Sequence, residues 1–201
     1  LLEVLRPASR VPIPPHFFQA PTAAPSNQVE FMRSRLPMMW YRLALIVVIL
    51  DQLTKRVVTL QLDYGVPIKV LPVLDITLQH NTGAAFSFLH DAGGWQRWLF
   101  AGIAALVSVA LAVWMHRLRR DQYLLLSGLA LILGGAVGNL IDRMRFGYVI
   151  DFIAVHWHEH YFPAFNVADS AITIGAGLLL LDMLLNPHNH GKATAQGNTH
   201  E

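Results

Sequence analysis

The sequence predicts a polytopic α-helical membrane protein, with four transmembrane helices and a small sheet-bearing platform on one surface. Three observations lead there. Of the 201 residues, 54% are apolar and only 14% are charged, with a mean hydropathy of +0.40, a balance foreign to ordinary soluble domains. Four apolar runs each approach the roughly 20 residues that a helix needs to cross about 30 Å of hydrocarbon. Arginines gather at the start of the first run and between the second and third.

Residues 1–35 are proline-rich (Pro7, Pro12, Pro14, Pro15, Pro21, Pro25) and carry no apolar core ahead of a small-residue cleavage site. A disordered leader is expected there, without a cleavable signal peptide. The chain opens on Leu1, and Met32 is read as an alternative native start. The first span is expected at about Met38–Val58, followed by a platform over 61–96. Pro67, Pro72, Gly83, Gly93 and Gly94 forbid a continuous helix in the platform. Within it, Leu74, Ile76 and Leu78 alternate with Asp75, Thr77 and Gln79, the pattern of a short half-buried strand. Asn81–Leu89 follows as a turn and an apolar segment.

The second span is expected at about Trp98–Trp114, the third at Tyr123–Ile141 and the fourth at Phe165–Leu185. A polar tail, 186–201, is expected to be flexible. Arg33, Arg35 and Arg42 flank the first span, and Arg117, Arg119 and Arg120 fill the second connection. The positive-inside rule then puts both termini in the cytoplasm and the Asn139–Asp169 region at the outer face. Lys55, Arg56, Lys69, Arg97, Arg143 and Arg145 lie on or near that outer side, against the bias.

With no cysteine in the chain, disulfides, thiol nucleophiles and thiolate metal sites are excluded. Nor do the basic residues form a stripe for nucleic acid, and no glycine-rich phosphate loop follows a strand. No serine sits in a nucleophile elbow or a Ser–Lys arrangement. His156, His158, Glu159 and His160 invite a zinc reading, but the HExxH pattern fails because Phe162 stands where its second histidine belongs. An interfacial loop with Trp157, Tyr161 and Phe162 is expected instead, without metal or other cofactor.

Ionisable groups inside apolar helices are costly and call for a functional reading. Asp51 and Lys55 lie one turn apart in the first span, either as a structural ion pair or as part of a polar interior. Gly134 and Gly138 share a face of the third span, as do Gly135, Asn139 and Arg143, so small residues give way to an amide and a guanidinium. Asp151 sits in the connection to the fourth span, and Asp169 lies near the start of that span, with Asn166 three residues before it. A hairpin across this connection would let the carboxylates meet and share one proton around a water. From spacing alone, a catalytic dyad competes with a buried structural network and with an ion path.

Five segments together resemble the bacterial lipoprotein signal peptidases, the signal peptidase II family. They are DQLTK (Asp51–Lys55), NTGAAFSF (Asn81–Phe88), GGAVGNLIDR (Gly134–Arg143), VIDF (Val149–Phe152) and FNVADS (Phe165–Ser170), covering about Leu36–Leu185. The resemblance implies an intramembrane aspartic endopeptidase of the bacterial inner membrane. Such an enzyme cleaves diacylglyceryl-modified prolipoproteins just before the lipidated cysteine. The implied dyad is Asp151 and Asp169, with Asn139, Arg143 and Asn166 in support and Asp51, Lys55, Asn81 and Gly83 shaping the site or holding the platform. It also implies a β-rich extracytoplasmic cradle with a flap, contact with membrane lipid and inhibition by the cyclic peptide globomycin. A monomer is expected. The alternative reading is an ion-coupled transporter or proton channel that uses the intramembrane aspartates.

Overall fold

The computed structural model describes residues 26–83, 95–118 and 121–187, with side chains from Met38 onward. In chain order the elements are α1 (Ser26–Gln61), β1 (Ile68–Leu71), β2 (Leu74–Asn81), α2 (Trp95–Arg117), α3 (Tyr123–Phe146), β3 (Val149–Trp157), β4 (His160–Tyr161) and α4 (Val167–Leu185). The chain divides into two units at Arg35/Leu36, and everything below concerns the second. The flap expected after Gly83 and the tail after Pro187 fall outside the described residues.

Among the described residues, α2, α3 and α4 are long and apolar enough to cross a membrane. The predicted first span is a helix too, but Arg42, Asp51, Lys55 and Arg56 interrupt its apolar run. Its buried residues, Trp40, Ala44, Val47, Asp51, Lys55 and Val58, recur every three or four positions, the period of one helix face. Leu45, Ile49, Leu53, Val57 and Leu60 are exposed on the other side.

The central helix is α3: 61% of its most apolar window is buried, against 17% for α2 and 22% for α4. Glycine makes that position possible. A Cβ on Gly128 would lie 2.9 Å from the Gly175 carbonyl oxygen on α4, and one on Gly135 would collide with the Ala168 carbonyl oxygen. The backbones of α3 and α4 therefore meet with no side chain between them. At its far end α3 stops on Gly147, whose φ of 87° turns the chain and whose N–H caps the Arg143 carbonyl at 3.1 Å.

Two residues later the chain enters β3, so the expected short connection is a nine-residue strand. It pairs antiparallel with β2, in a four-stranded sheet of order β1-β2-β3-β4. Leu74 faces Val155 and Asn81 faces Val149, with a register shift between Ile76 and Gln79. The predicted strand at 74–79 exists, yet Asp75 and Thr77 are buried while Leu74 and Ile76 are half-buried. Its polar side turns inward because the hairpin supplies partners there. Tyr161 donates its hydroxyl to Asp75 Oδ2 at 3.1 Å, and His156 Nε2 lies 3.5 Å from Asp75 Oδ1. His156 also stacks on Tyr161, and no group of three metal-ligating side chains forms among the described residues.

A buried ion cluster ties α1 to α3. Lys55 Nζ lies 2.9 Å from Asp51 Oδ2 and 2.8 Å from Asp142 Oδ2. The same ammonium donates to Asn139 Oδ1 at 3.0 Å. Gln52 Nε2 adds a bond to Asp142 Oδ1 at 2.9 Å, and the carboxylates also accept backbone N–H groups, Asp51 from Ala168 at 3.0 Å and Asp142 from Ile150 at 3.1 Å. Asp51 and Lys55 therefore form a structural pair, but one enlarged by a second acid and lying within a helix that runs on to Gln61.

Lys55→Met strands two carboxylates in the interior and is expected to destabilise the protein by about 3–5 kcal/mol, read as thermal unfolding in neutral detergent. Gly135→Leu forces a side chain between α3 and α4 and is expected to cost on the order of 1–3 kcal/mol or more in the same assay.

Candidate active site

The described parts of the five segments singled out in the sequence, of which the second is described only through Gly83, converge where β3 meets the start of α4. Bonds from Phe152 N–H (3.0 Å) and Ile153 N–H (2.8 Å) to the Phe165 carbonyl, with Phe165 N–H returning to Ile153 at 3.0 Å, clamp the residue before α4 onto the strand. The helix opens on a capping box: Asn166 Oδ1 accepts the Asp169 N–H at 2.9 Å, and Asp169 Oδ2 accepts the Asn166 N–H at 3.3 Å. The helix therefore begins at Val167, two residues later than expected, and Asp169 lies in its first turn.

Asp151 is buried on β3 and Asp169 is half-buried on α4. Two asparagines bridge them. Asn166 Nδ2 donates to Asp151 Oδ1 at 2.7 Å and lies 3.2 Å from Asn139 Oδ1. Asn139 Nδ2 donates to Asp169 Oδ1 at 2.7 Å. Because Lys55 can only donate, it fixes the oxygen of the Asn139 amide toward itself and leaves the NH₂ to face Asp169. The route from the ion cluster to both carboxylates is thus an unbroken chain of hydrogen bonds.

Asn81 supplies a second donor to Asp151, Nδ2 to Oδ2 at 2.9 Å, from the neighbouring strand. Its amide is oriented by Gly83, whose N–H donates to Asn81 Oδ1 at 2.9 Å. Gly83 has φ of 94°, and a Cβ there would strike the Phe100 ring, so both the turn and the space require glycine. Burial pushes the Asp151 carboxyl up to about 6; donation from Asn81 and Asn166 opposes this, and the charge of Asp169 reinforces it.

Arg143 is placed differently from its expected partner Asn139. Among the described residues it makes no hydrogen bond to either carboxylate, and its guanidinium stands 5.6 Å over the Phe100 ring. Asp169, Asp151 and Asp142 are the charges that surround it. Asp51 and Lys55 act one shell back, through Asn139.

Two participants escaped the sequence reading, Asp142 and Gln52. Asp142 is three residues beyond Asn139, hence on its side of α3, and Gln52 adjoins Asp51; the first spacing was a usable signal, the second was not. On the other flank, Asp169 lines an apolar cavity of about 530 Å³ with Phe162, Phe165, Thr173 and Ile174, within the size range of small-ligand sites.

Known proteins resemble this chain along most of its length. The model of the signal peptidase (SPase) II family matches residues 43–185. A lipoprotein signal peptidase of Acinetobacter baylyi is 54% identical over 145 residues, covering 72% of this chain and 81% of that protein. One from Pseudomonas fluorescens is 58% identical over 146 residues, covering 72% and 86%. A bacterial membrane enzyme solved by the in meso method at 1.9 Å resolution superposes with a TM-score of 0.66 at 32% identity, over 74% of this chain and 94% of that one. Peptidases at this level of identity disfavour the ion-coupled alternative. The chain belongs to the signal peptidase II family and is a membrane-embedded peptide hydrolase.

Proposed function

We propose that this peptidase removes the signal peptide from diacylglyceryl-modified prolipoproteins, with Asp151 and Asp169 as its catalytic dyad. The observation that carries the reading is the amide bridge: Asn166 and Asn139 hold one carboxylate each and contact one another. Two carboxylates kept this way, one of them half-open to an apolar cavity, suit a single shared proton and a bound water. Asp151, the group pushed up to about 6, carries the proton in the resting site. The ionised Asp169 takes a proton from the water, whose oxygen attacks the carbonyl carbon while Asp151 polarises the carbonyl oxygen. Collapse of the tetrahedral intermediate returns a proton to the departing amine and frees both fragments. No metal and no covalent intermediate enters these steps.

The apolar cavity beside Asp169 receives the lipid-bearing end of the substrate, and cleavage falls just before the lipidated cysteine. Arg143, with no acid bonded to it, is free to meet a substrate carbonyl at the rim. Asn81 and Gly83 keep the outer side of Asp151 closed, and globomycin competes for the same dyad. In the membrane, α1 serves as the fourth span: its exposed Leu45, Ile49, Leu53 and Val57 face lipid while its charges are neutralised within the bundle. Arg117 and the arginines beside it, with Arg33, Arg35 and Arg42 in the first half of α1, keep both termini cytoplasmic in the inner membrane and the dyad at the periplasmic face. The enzyme acts as a monomer.

Asp151→Asn and Asp169→Asn are each expected to lower turnover of a lipidated precursor by at least about 10²–10⁴-fold, measured on protein that remains folded in detergent. Retained turnover in either variant would refute the assignment. A chelator is expected to leave activity unchanged, and chelator-sensitive turnover would redirect attention to a metal. The dyad loses its one proton as pH rises through the Asp151 pKa, so kcat/KM should fall on the alkaline side. Removing a donor to that carboxylate raises its pKa, so Asn81→Leu should move this limb to higher pH. An unmoved or lowered limb would show that Asp151 does not hold the proton.

A further inference from the structure

The outer ends of α1 and α3 enclose a second cavity, on the side of the ion cluster away from the dyad. Its floor is formed by Gln52, Lys55 and Asp142, and Arg56 and Arg145 stand at its rim. Leu53, Leu60 and Phe146 form its apolar walls.

The basic residues around this end of the bundle differ in how they are satisfied. Lys55 is neutralised by Asp51 and Asp142. Arg97 donates to the Met144 carbonyl and stands 5.0 Å over the Trp98 ring. Arg143 faces the dyad and Phe100. Arg56 and Arg145 remain: among the described residues neither forms an ion pair, and Arg145 has only the Phe146 ring, at 5.0 Å. Both are exposed, and both line this one cavity, placing two positive charges without an ion-pair partner at its mouth.

We infer that this cavity binds an anionic glycerophospholipid, with Arg56 and Arg145 holding its phosphate and an acyl chain lying along Leu53. Each guanidinium presents a planar fork of donors that matches phosphate oxygens. Gln52 and Thr59 offer neutral polar contacts to the glycerol part of a headgroup. Leu53 lies nearly one turn from Arg56 toward Ile49 and Leu45 and continues their lipid-facing row, giving a chain a path into the hydrocarbon, while Leu60, beyond Arg56 toward the helix end, walls the headgroup side. Tyr148 completes the rim and stacks with His80 at 4.0 Å and Phe146 at 5.8 Å, an aromatic group suited to headgroup depth. Inorganic phosphate would satisfy the arginines but leave the apolar walls bare. A zwitterionic lipid would bring its own cation against two guanidiniums. A phosphoglycerol headgroup meets neither objection, and once bound it shields the Lys55–Asp142 floor from water.

Native mass spectrometry of the full chain, released from vesicles of phosphatidylcholine with a minor share of phosphatidylglycerol, tests this. The wild type should retain phosphatidylglycerol several-fold over phosphatidylcholine, beyond the ratio supplied. Arg56→Gln/Arg145→Gln should lose that preference while cleaving a lipidated precursor in neutral detergent as the wild type does. Equal retention of the two lipids by the wild type overturns the proposal, whatever the variant does. So does a preference that survives in the double variant, or one that millimolar inorganic phosphate abolishes, since the latter marks a plain phosphate site. Arg56→Lys/Arg145→Lys, which keeps the charge but not the fork, should retain a weakened preference.

Discussion

One ammonium group holds the architecture together. Lys55 has three protons to give, and Asp51, Asp142 and Asn139 take them. A lysine without such partners would be driven out of the interior by desolvation, and so would two carboxylates. Here each makes the other admissible, and the two acids also take backbone N–H groups from the start of α4 and from β3. Four elements are thereby fixed to one buried point. Such a cluster adds no more to stability than a well-packed apolar replacement of the same volume, but it sets direction. The Asn139 amide can sit only one way round, and through it the relation of Asp169 to Asp151 is set.

Close backbone packing makes this possible. Gly135 and Gly128 let α4 lie directly on α3, so that short side chains such as asparagine and aspartate reach across the seam. With a larger residue at either position the helices would stand apart, and Asn139 would fall short of Asp169. The sheet contributes in a different way. Clamping Phe165 to β3 fixes the direction in which α4 leaves the strand, and the pairing of β3 with β2 brings Asn81 diagonally across to Asp151.

The helical part of this plan was legible because long apolar runs announce themselves, and because Asp151, Asn166 and Asp169 stand out against apolar neighbours. The extent of β3 was not. Its first four residues are buried on both faces, so the alternation that identifies a half-exposed strand is missing from VIDF. For β2 the alternation was visible and holds at Leu78 and Gln79, but its sense is inverted over Leu74–Thr77, where Asp75 finds partners in Tyr161 and His156 from a hairpin over eighty residues away in sequence. No local pattern carries that information. The ion cluster lies between these cases: Asp51 and Lys55 could be paired by spacing, whereas the second acid, Asp142, depends on how α1 lies against α3. Spacing alone also gave no means of separating Arg143 from Asn139, and the structure gives them different surroundings, one an aromatic ring and the other the carboxylate itself.

Asp169 belongs at once to the proposed dyad and to the capping box that starts α4. Synthesis runs from the amino end, so this carboxylate emerges after every other residue of the site, and it acquires its geometry only when the last helix has formed and settled against Gly135. Until then the nascent chain carries Asp151 alone, with no partner to share a proton. An unfinished copy in the bilayer is therefore inert toward the many membrane-anchored segments being inserted beside it. On the proposed assignment, completion of the fold is itself the step that brings the two carboxylates together.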